Sequence, residues 1–411
     1  MPSTRLIATA VENCHTPGLA EAELERLGAL FYRERRLSEL TTADHSRWDE
    51  LSQMAVAPNP FQSPAFVLPA VRHLFRDDSR IRLMSVESSR TREWLSAFVV
   101  EDVDGSLRKP IRRLRSFETL YSYLSTPLFN RNAAQLAANA LFYSLAVDGR
   151  WHGLRLKTLG GSSEIVTGTA DGEQPAHGTC IVQRTWQRAA IVTQGLQPGA
   201  ILARCSKSRR KSLNRSYRLL EQAGRVNFRL RRPNAEDTEP METFLRLEHQ
   251  GWKLNQKTSL LADPATAAFA RSMLSEFARR SQVCYGELSV DDQVIASTCN
   301  LLAGETMFAF KIGWDATHQA ASPGLWSEIL LAEAVSEQLP DVIRIDSCSL
   351  ADSHLDSIWS DRLTMRNVVC LWSQVATIAA NAISGVRTGL KLLSGYQPQL
   401  AGTLVANDAT T

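Results

Sequence analysis

Between Lys311 and Leu325 the chain reads KIGWDATHQAASPGL: the end of an apolar run, a loop of small and polar residues, and a helix start. Ser322 stands at the cap position, Pro323 at the first helical position and Gly324 behind it, the order that a helix N-terminus favours. The open amides of such a terminus carry about half a positive charge and attract phosphate. Gly324 adds no side chain over them, so a pyrophosphate or a pantetheine arm could come close beside Leu325. Lys311 enters the loop from a strand, where its ammonium could meet Asp315 or a phosphate. Ser322, Gly324, Leu325 and Asp315 are the candidate cofactor-binding residues. A capped helix without a ligand explains the same spacing, and both readings stand at this level.

Two further residues could move a proton. Asp346 closes a short apolar run, 342–346, and His354 follows within the next turn of chain. Either could take a proton from an attacking amine, and histidine titrates in the range that suits a base. Together with Lys311 they form the candidate catalytic set, although Asp346 could equally cap its loop. Upstream, Arg204, Lys207, Arg209, Arg210, Lys211, Arg215 and Arg218 stand on one short stretch with no acid among them. Leu213, Tyr217 and Leu220 make the apolar stripe of that helix, which leaves the cations on its open face. Like charges at helical spacing repel by a few tenths of a kcal/mol per pair, so the cluster suits an anionic partner better than bare solvent. Arg209, Arg210, Lys211, Arg215 and, further on, Trp252 are the candidate anion- and substrate-binding residues.

These residues need a scaffold, and the second half of the chain spells one out. A helix spans residues 206–223, stopped by Gly224, and a strand follows at 226–230. Two helices come next, 236–252 and 264–280, the second capped by Asp263 with Pro264 behind it. Alternating apolar patterns at 283–290, 294–302 and 306–312, split by turn residues, make a meander of three strands. A helix from Ser322 and strands at 342–346 and 367–372 complete the order. In the first half, strands at 81–87, 94–103 and 111–117, a helix at 130–147 and a strand at 154–159 repeat the later part of that order. A helical pattern at 21–36 and an amphipathic one at 375–396 flank the two halves. The glycine-rich, polar stretch 160–178 reads as the loop between them.

The chain has 411 residues, 44% hydrophobic and 22% charged, too long for one core and ordinary for a globular protein. A net charge of +3 confines any anion-binding role to a local patch. Seven cysteines without a Cys-x-x-Cys pair or a metal spacing read as reduced thiols. No apolar run approaches the roughly 20 residues that cross a bilayer, and the N-terminus makes a poor signal peptide, so a cytoplasmic protein without a metal is expected.

Lys311-Ile312-Gly313-Trp314-Asp315 with Ser322-Pro323-Gly324-Leu325 resembles the signature of the CelD-like acetyltransferase domain, a member of the GNAT superfamily related to the FemAB transferases. Arg209 to Arg215, Leu247-Glu248-His249-Gln250-Gly251-Trp252 and Ile345-Asp346 fit the same pattern in the same order, as does Pro58-Asn59-Pro60-Phe61 in the first half. Where the family carries a glycine and a Tyr-Lys pair, this chain has Ser347 to His354. The resemblance, over residues 42–372, implies an α/β fold of tandem GNAT-like domains, mixed central sheets flanked by helices. It divides the chain into a leader, 1–41, a degenerate N-terminal domain, 42–175, a donor-site domain, 176–372, and a tail, 373–411. It further implies an acyltransferase that takes its acyl group from acyl-CoA or an acyl carrier protein and passes it to an amine or hydroxyl, in cell-envelope or polysaccharide metabolism. A FemAB-type transferase that uses aminoacyl-tRNA and a non-catalytic exopolysaccharide or cellulose assembly factor are the alternatives. Peripheral contact with a membrane surface is also compatible.

Overall fold

The computed structural model describes residues 3–6, 27–104, 112–161, 165–166 and 178–372. The tail pattern at 375–396 and most of the loop 160–178 lie outside the described residues.

The first half begins with β1 (Ser3–Leu6) and β2 (Leu30–Arg35), followed by α1 (Thr42–Met54) and α2 (Pro64–Leu74). Thr41 and Asp44 close the start of α1 reciprocally: each side chain accepts the other's backbone N–H. Next come β3 (Ile81–Ser88), β4 (Trp94–Val103), β5 (Arg113–Ser116), the short β6 (Leu128–Phe129), α3 (Ala134–Val147) and β7 (Gly153–Leu159). The long β8 (Thr179–Val192) leads to α4 (Ala200–Arg204) and α5 (Lys207–Ala223). The second half then runs β9 (Val226–Arg231), α6 (Glu239–Glu248), α7 (Gly251–Asn255), α8 (Pro264–Arg279), β10 (Val283–Val290), β11 (Gln293–Ala303), β12 (Thr306–Trp314), α9 (Pro323–Gln338) and β13 (Arg344–Asp346), with β14 (Asp361–Leu371) last.

All of these strands join one mixed sheet, ordered β1-β2-β3-β4-β5-β7-β14-β8-β13-β12-β11-β10-β9, with β6 beside β4. The repeat is fuller than the sequence pattern suggests: strand, helices, three strands, helix, strand occurs twice. The opening strand of the first copy, β2, occupies part of the stretch that reads as a helix at 21–36. Its side chains pair across the sheet with β3, and this tertiary pairing overrides the local helical spacing. In both copies the last two strands run parallel, β5 with β7 and β12 with β13.

The two copies trade strands at the centre. After β7 the chain crosses to lay β8 against β13, and after β13 it returns to lay β14 against β7. β8 and β14 then pair with each other, and Cys180 and Cys370, opposite each other in that register, form a disulfide. This corrects the reduced-thiol reading for that pair, because spacing along the chain carries no information about cross-strand partners. Cys205, Cys284, Cys299 and Cys348 are free.

The helices behind the sheet share one core across the copies. Phe66 on α2 meets Phe269 on α8 edge to face at 5.6 Å, and Phe61 meets Phe308 of β12 at 6.2 Å. Arg280, after α8, pairs with Asp49 of α1 at 2.7 Å. Separate apolar clusters under α3 and under α9 fill the remaining faces. Among the described residues, no helix is long and apolar enough to cross a membrane.

Candidate functional site

The parallel pair of the second copy is short. Thr306 to Phe308 pair with Arg344 to Asp346, after which β13 stops and β12 continues to Trp314. Residues 309–314 therefore keep a strand neighbour, β11, on one flank only. Phe310 is an extra residue in the β11 pairing, a bulge that bends β12 at the point where its flank opens.

The end of α6 closes on this segment. A Cβ on Gly313 would lie 2.3 Å from the backbone nitrogen of Glu248, so only glycine lets the helix approach so closely. The contact brings in the side chain of Glu248, which is fully buried. Its Oε1 lies 3.4 Å from Lys311 Nζ and 3.5 Å from Lys253 Nζ of α7, while its Oε2 accepts the Leu260 amide at 2.7 Å. Two ammonium groups thus share one carboxylate, and the group carries a net positive charge. Lys253 also donates to the Ile312 carbonyl on the bent strand, and Lys311 sits 5.5 Å from the Tyr121 ring of the first copy. Burial, with Lys311 nearby, pulls the Lys253 ammonium down to about 8 against the opposing pull of Glu248. Leu247, Glu248, Gln250, Gly251, Lys253, Ile312, Gly313 and Trp314 line a cavity of about 10 Å³, the room of one water.

Asp346 at the end of β13 is an anchor. It is buried against Arg188 of β8 at 3.3 Å and accepts the Cys348 amide at 2.8 Å. Arg188 also donates to the carbonyls of Ser349 and Tyr123, at 2.9 and 2.8 Å, and so ties the loop after β13 to the first copy. His354 opens the 3-10 turn His354–Ser357 at the surface. Desolvation, the charge of Arg209 and that of Lys253 hold its imidazole below the ordinary value, with Asp356 opposing, so it is neutral at pH 7.

The helix start at Ser322 differs from its expected form. Ser322 adopts a left-handed backbone, φ 52°, and its side chain makes no cap hydrogen bond. Its carbonyl instead accepts the amides of Leu325 and Trp326 at 3.1 and 3.2 Å, so the Leu325 amide is already engaged. A Cβ on Gly324 would lie 2.9 Å from the Trp314 indole, so this glycine makes room for the tryptophan rather than for open amides. Asp315 turns away from Lys311 and accepts the amide and hydroxyl of Thr317, at 2.9 and 2.7 Å, capping the turn Ala316–Ala321. Lys311 goes to Glu248 instead because the bulge at Phe310 turns the strand toward α6.

Arg209, Arg210, Lys211 and Arg215 all lie on α5. Arg209 reaches the Ser357 hydroxyl at 2.9 Å, beside His354, and the other three are exposed. Trp252 belongs to α7, and its side chain lies outside the described residues. Among the described residues no cluster of His, Cys, Asp and Glu is arranged to hold a metal ion.

Three functional candidates escaped the reading of the sequence: Glu248, Lys253 and Glu328. Glu248 follows Phe244, Leu245 and Leu247 in a buried stripe, and Glu328 stands within the apolar helix α9. A carboxylate inside an apolar face was the available signal. Glu328 Oε2 is buried without a hydrogen-bond partner, and burial alone pushes its carboxyl up to about 8.

Residues 207–346 match the family described as "Acetyltransferase (GNAT) domain". No curated protein sequence matches the chain. Among solved structures, that titled "Crystal structure of FemX" is similar at 7% identity over 84% of this chain and 99% of that one, with a TM-score of 0.50, a likeness of fold. The C-terminal domain of a putative lysylphosphatidylglycerol synthetase from Agrobacterium fabrum gives 10% identity, 83% and 96% coverage and a TM-score of 0.49. A tandem GNAT protein from the clavulanic acid biosynthesis pathway gives 12%, 84%, 99% and 0.38.

Proposed function

We propose that this chain, whose residues 207–346 match the GNAT acetyltransferase domain and whose fold is similar to that of FemX, transfers an acyl group from an acyl thioester to an amine. The observation that carries the reading is the lysine pair sharing Glu248 at the open flank of β12. A tetrahedral intermediate develops a negative oxygen, and a fixed excess positive charge in a site with room for one water stabilises it strongly. The acceptor nitrogen attacks the thioester carbon, the carbonyl oxygen takes up the charge beside Lys253 and Lys311, and collapse expels the sulfur. His354, neutral at pH 7, takes the proton of the attacking amine. Asp346 holds Arg188 and the loop that carries His354, and so acts by positioning. The donor lies in the second copy and the acceptor enters from the side of Tyr121, between the copies.

The test is release of free thiol from acetyl- and octanoyl-coenzyme A in the presence of a panel of amines, with mass detection of the amide. Acceptor-dependent thiol release that vanishes in Lys253→Met supports the reading. If neither coenzyme A thioester releases thiol, the thioester reading falls; transfer from aminoacyl-tRNA alone would replace the thioester with an aminoacyl ester donor.

A further inference from the structure

We propose that α5 is the docking face for an acidic acyl carrier protein, which delivers the acyl thioester to the site; this rests on the acyl-thioester reading above. Lys207, Lys211, Arg215 and Leu219 follow one another at four-residue spacing and form one exposed row along the helix, flanked by Arg210 and Arg218. None of these five cations forms an ion pair with any described residue. The first turn contains no acid, so the helix dipole adds to the positive field instead of offsetting it. The opposite face, Leu213, Ser216 and Leu220, is buried.

The place of the helix connects this field to the chemistry. Tyr217 packs at 4.5 Å on Trp326 of α9, and the Trp326 indole donates to the Ser216 hydroxyl at 3.0 Å. Arg209 reaches Ser357 in the turn that carries His354. The helix that carries the row is thus tied to the turn of His354 and to α9. At 1.5 Å per residue, the cations from Lys207 to Arg218 extend over about 16 Å, longer than the pyrophosphate of a single coenzyme. A surface of that length matches an acidic helix on a macromolecule. Leu219, 38% exposed at the end of the row, offers an apolar contact that a phosphate backbone would not use. Tyr217, spent on Trp326, leaves no aromatic platform on the row for a nucleic-acid base. In the reaction the acceptor nitrogen bonds to the acyl carbon while the bond from that carbon to the phosphopantetheine sulfur breaks. The amine proton ends on the sulfur, giving an amide and the thiol form of the carrier.

The experiment titrates the full chain with a purified octanoyl acyl carrier protein by fluorescence anisotropy, at low salt and at about 0.2 M salt. Binding that weakens with salt, and that weakens at least about tenfold in Lys211→Glu/Arg215→Glu, is the expected result. A second pair, Lys207→Glu/Arg218→Glu, lies wholly at the surface and gives the same result if the first pair folds poorly. In parallel, the ratio of carrier-driven to coenzyme A-driven transfer should fall by a similar factor in both variants. The proposal is overturned if the carrier does not bind, if both variants bind it like wild type, or if a short RNA or vesicles of equal phosphatidylglycerol and phosphatidylcholine bind α5 and the carrier does not. If octanoyl-coenzyme A serves and the carrier does not, docking alone fails; if neither donates, the acyl-thioester reading fails with it.

Discussion

Replacing Lys311 by methionine tests whether the excess charge at Glu248 is what drives transfer. The ammonium groups of Lys311 and Lys253 lie 3.4 and 3.5 Å from the same carboxylate oxygen, so they are no more than about 7 Å apart. At an effective dielectric of about 20, like charges at that distance repel by about 2 kcal/mol, or about one and a half pH units. On the proposed mechanism, wild-type activity should rise as His354 loses its proton, below its ordinary value, and fall as Lys253 loses its proton near 8. Lys311→Met keeps Glu248 paired with Lys253 and with the Leu260 amide, so the chain folds. Two changes follow from one substitution. The cluster becomes neutral, and kcat drops by about 10²- to 10³-fold, the usual loss of an oxyanion partner. The alkaline limb of the pH profile moves upward, because Lys253 no longer faces a second ammonium, although its burial remains. The assay is kcat/KM for thiol release across pH, with circular dichroism to check folding. An unmoved alkaline limb, or an unchanged kcat, refutes the idea that the shared carboxylate and its excess charge do the work.

Gly313→Ala forces a Cβ against the backbone of Glu248, where nothing flexible can yield. It should cost about 2 kcal/mol or more in thermal unfolding and most of the activity, and wild-type stability would show that α6 does not need this approach. Glu328→Gln should stabilise the chain at pH 7 and above. Between its ordinary 4.5 and its buried value of about 8, the folded carboxyl keeps a proton that the unfolded one has released, so stability falls as pH rises through that window. The gain should approach about 3 kcal/mol near pH 7 and vanish near pH 4.5, and a melting-temperature difference that is flat with pH would contradict it. Asp346→Asn should leave Arg188 with an uncompensated buried charge and cost about 3–5 kcal/mol in urea unfolding without moving the pH profile of any remaining activity. A shifted acid limb with intact stability would make Asp346 the base.

The sequence alone determined most of the elements between residues 206 and 346, because each is a local matter of period and punctuation, although the helix read at 236–252 is two, α6 and α7. Ser206, Gly224, Asp263 and Pro264 mark helix ends by their own backbone chemistry, and the meander of β10 to β12 shows in the turn residues between its strands. The row of cations on α5 was equally legible, since helical spacing fixes which residues share a face. Tertiary structure decided the rest. β8 was not recognised at all: it is exposed along its middle, with Gln183, Arg184, Thr185 and Gln187 to solvent, so no alternation betrays it, and only pairing with β13 and β14 makes it a strand. The exchange of β8 and β14 between the copies, and the disulfide that joins them, depend on partners 190 residues apart. Glu248, Lys253 and Lys311 come from three elements, and no spacing along the chain announces that they converge. What brings them together is a bulge at Phe310 and a glycine at 313 that lets one helix touch one bent strand. The expected cap at Ser322 failed for the same reason: packing of the Trp314 ring over Gly324, rather than the cap preference of serine, sets the form of that helix start.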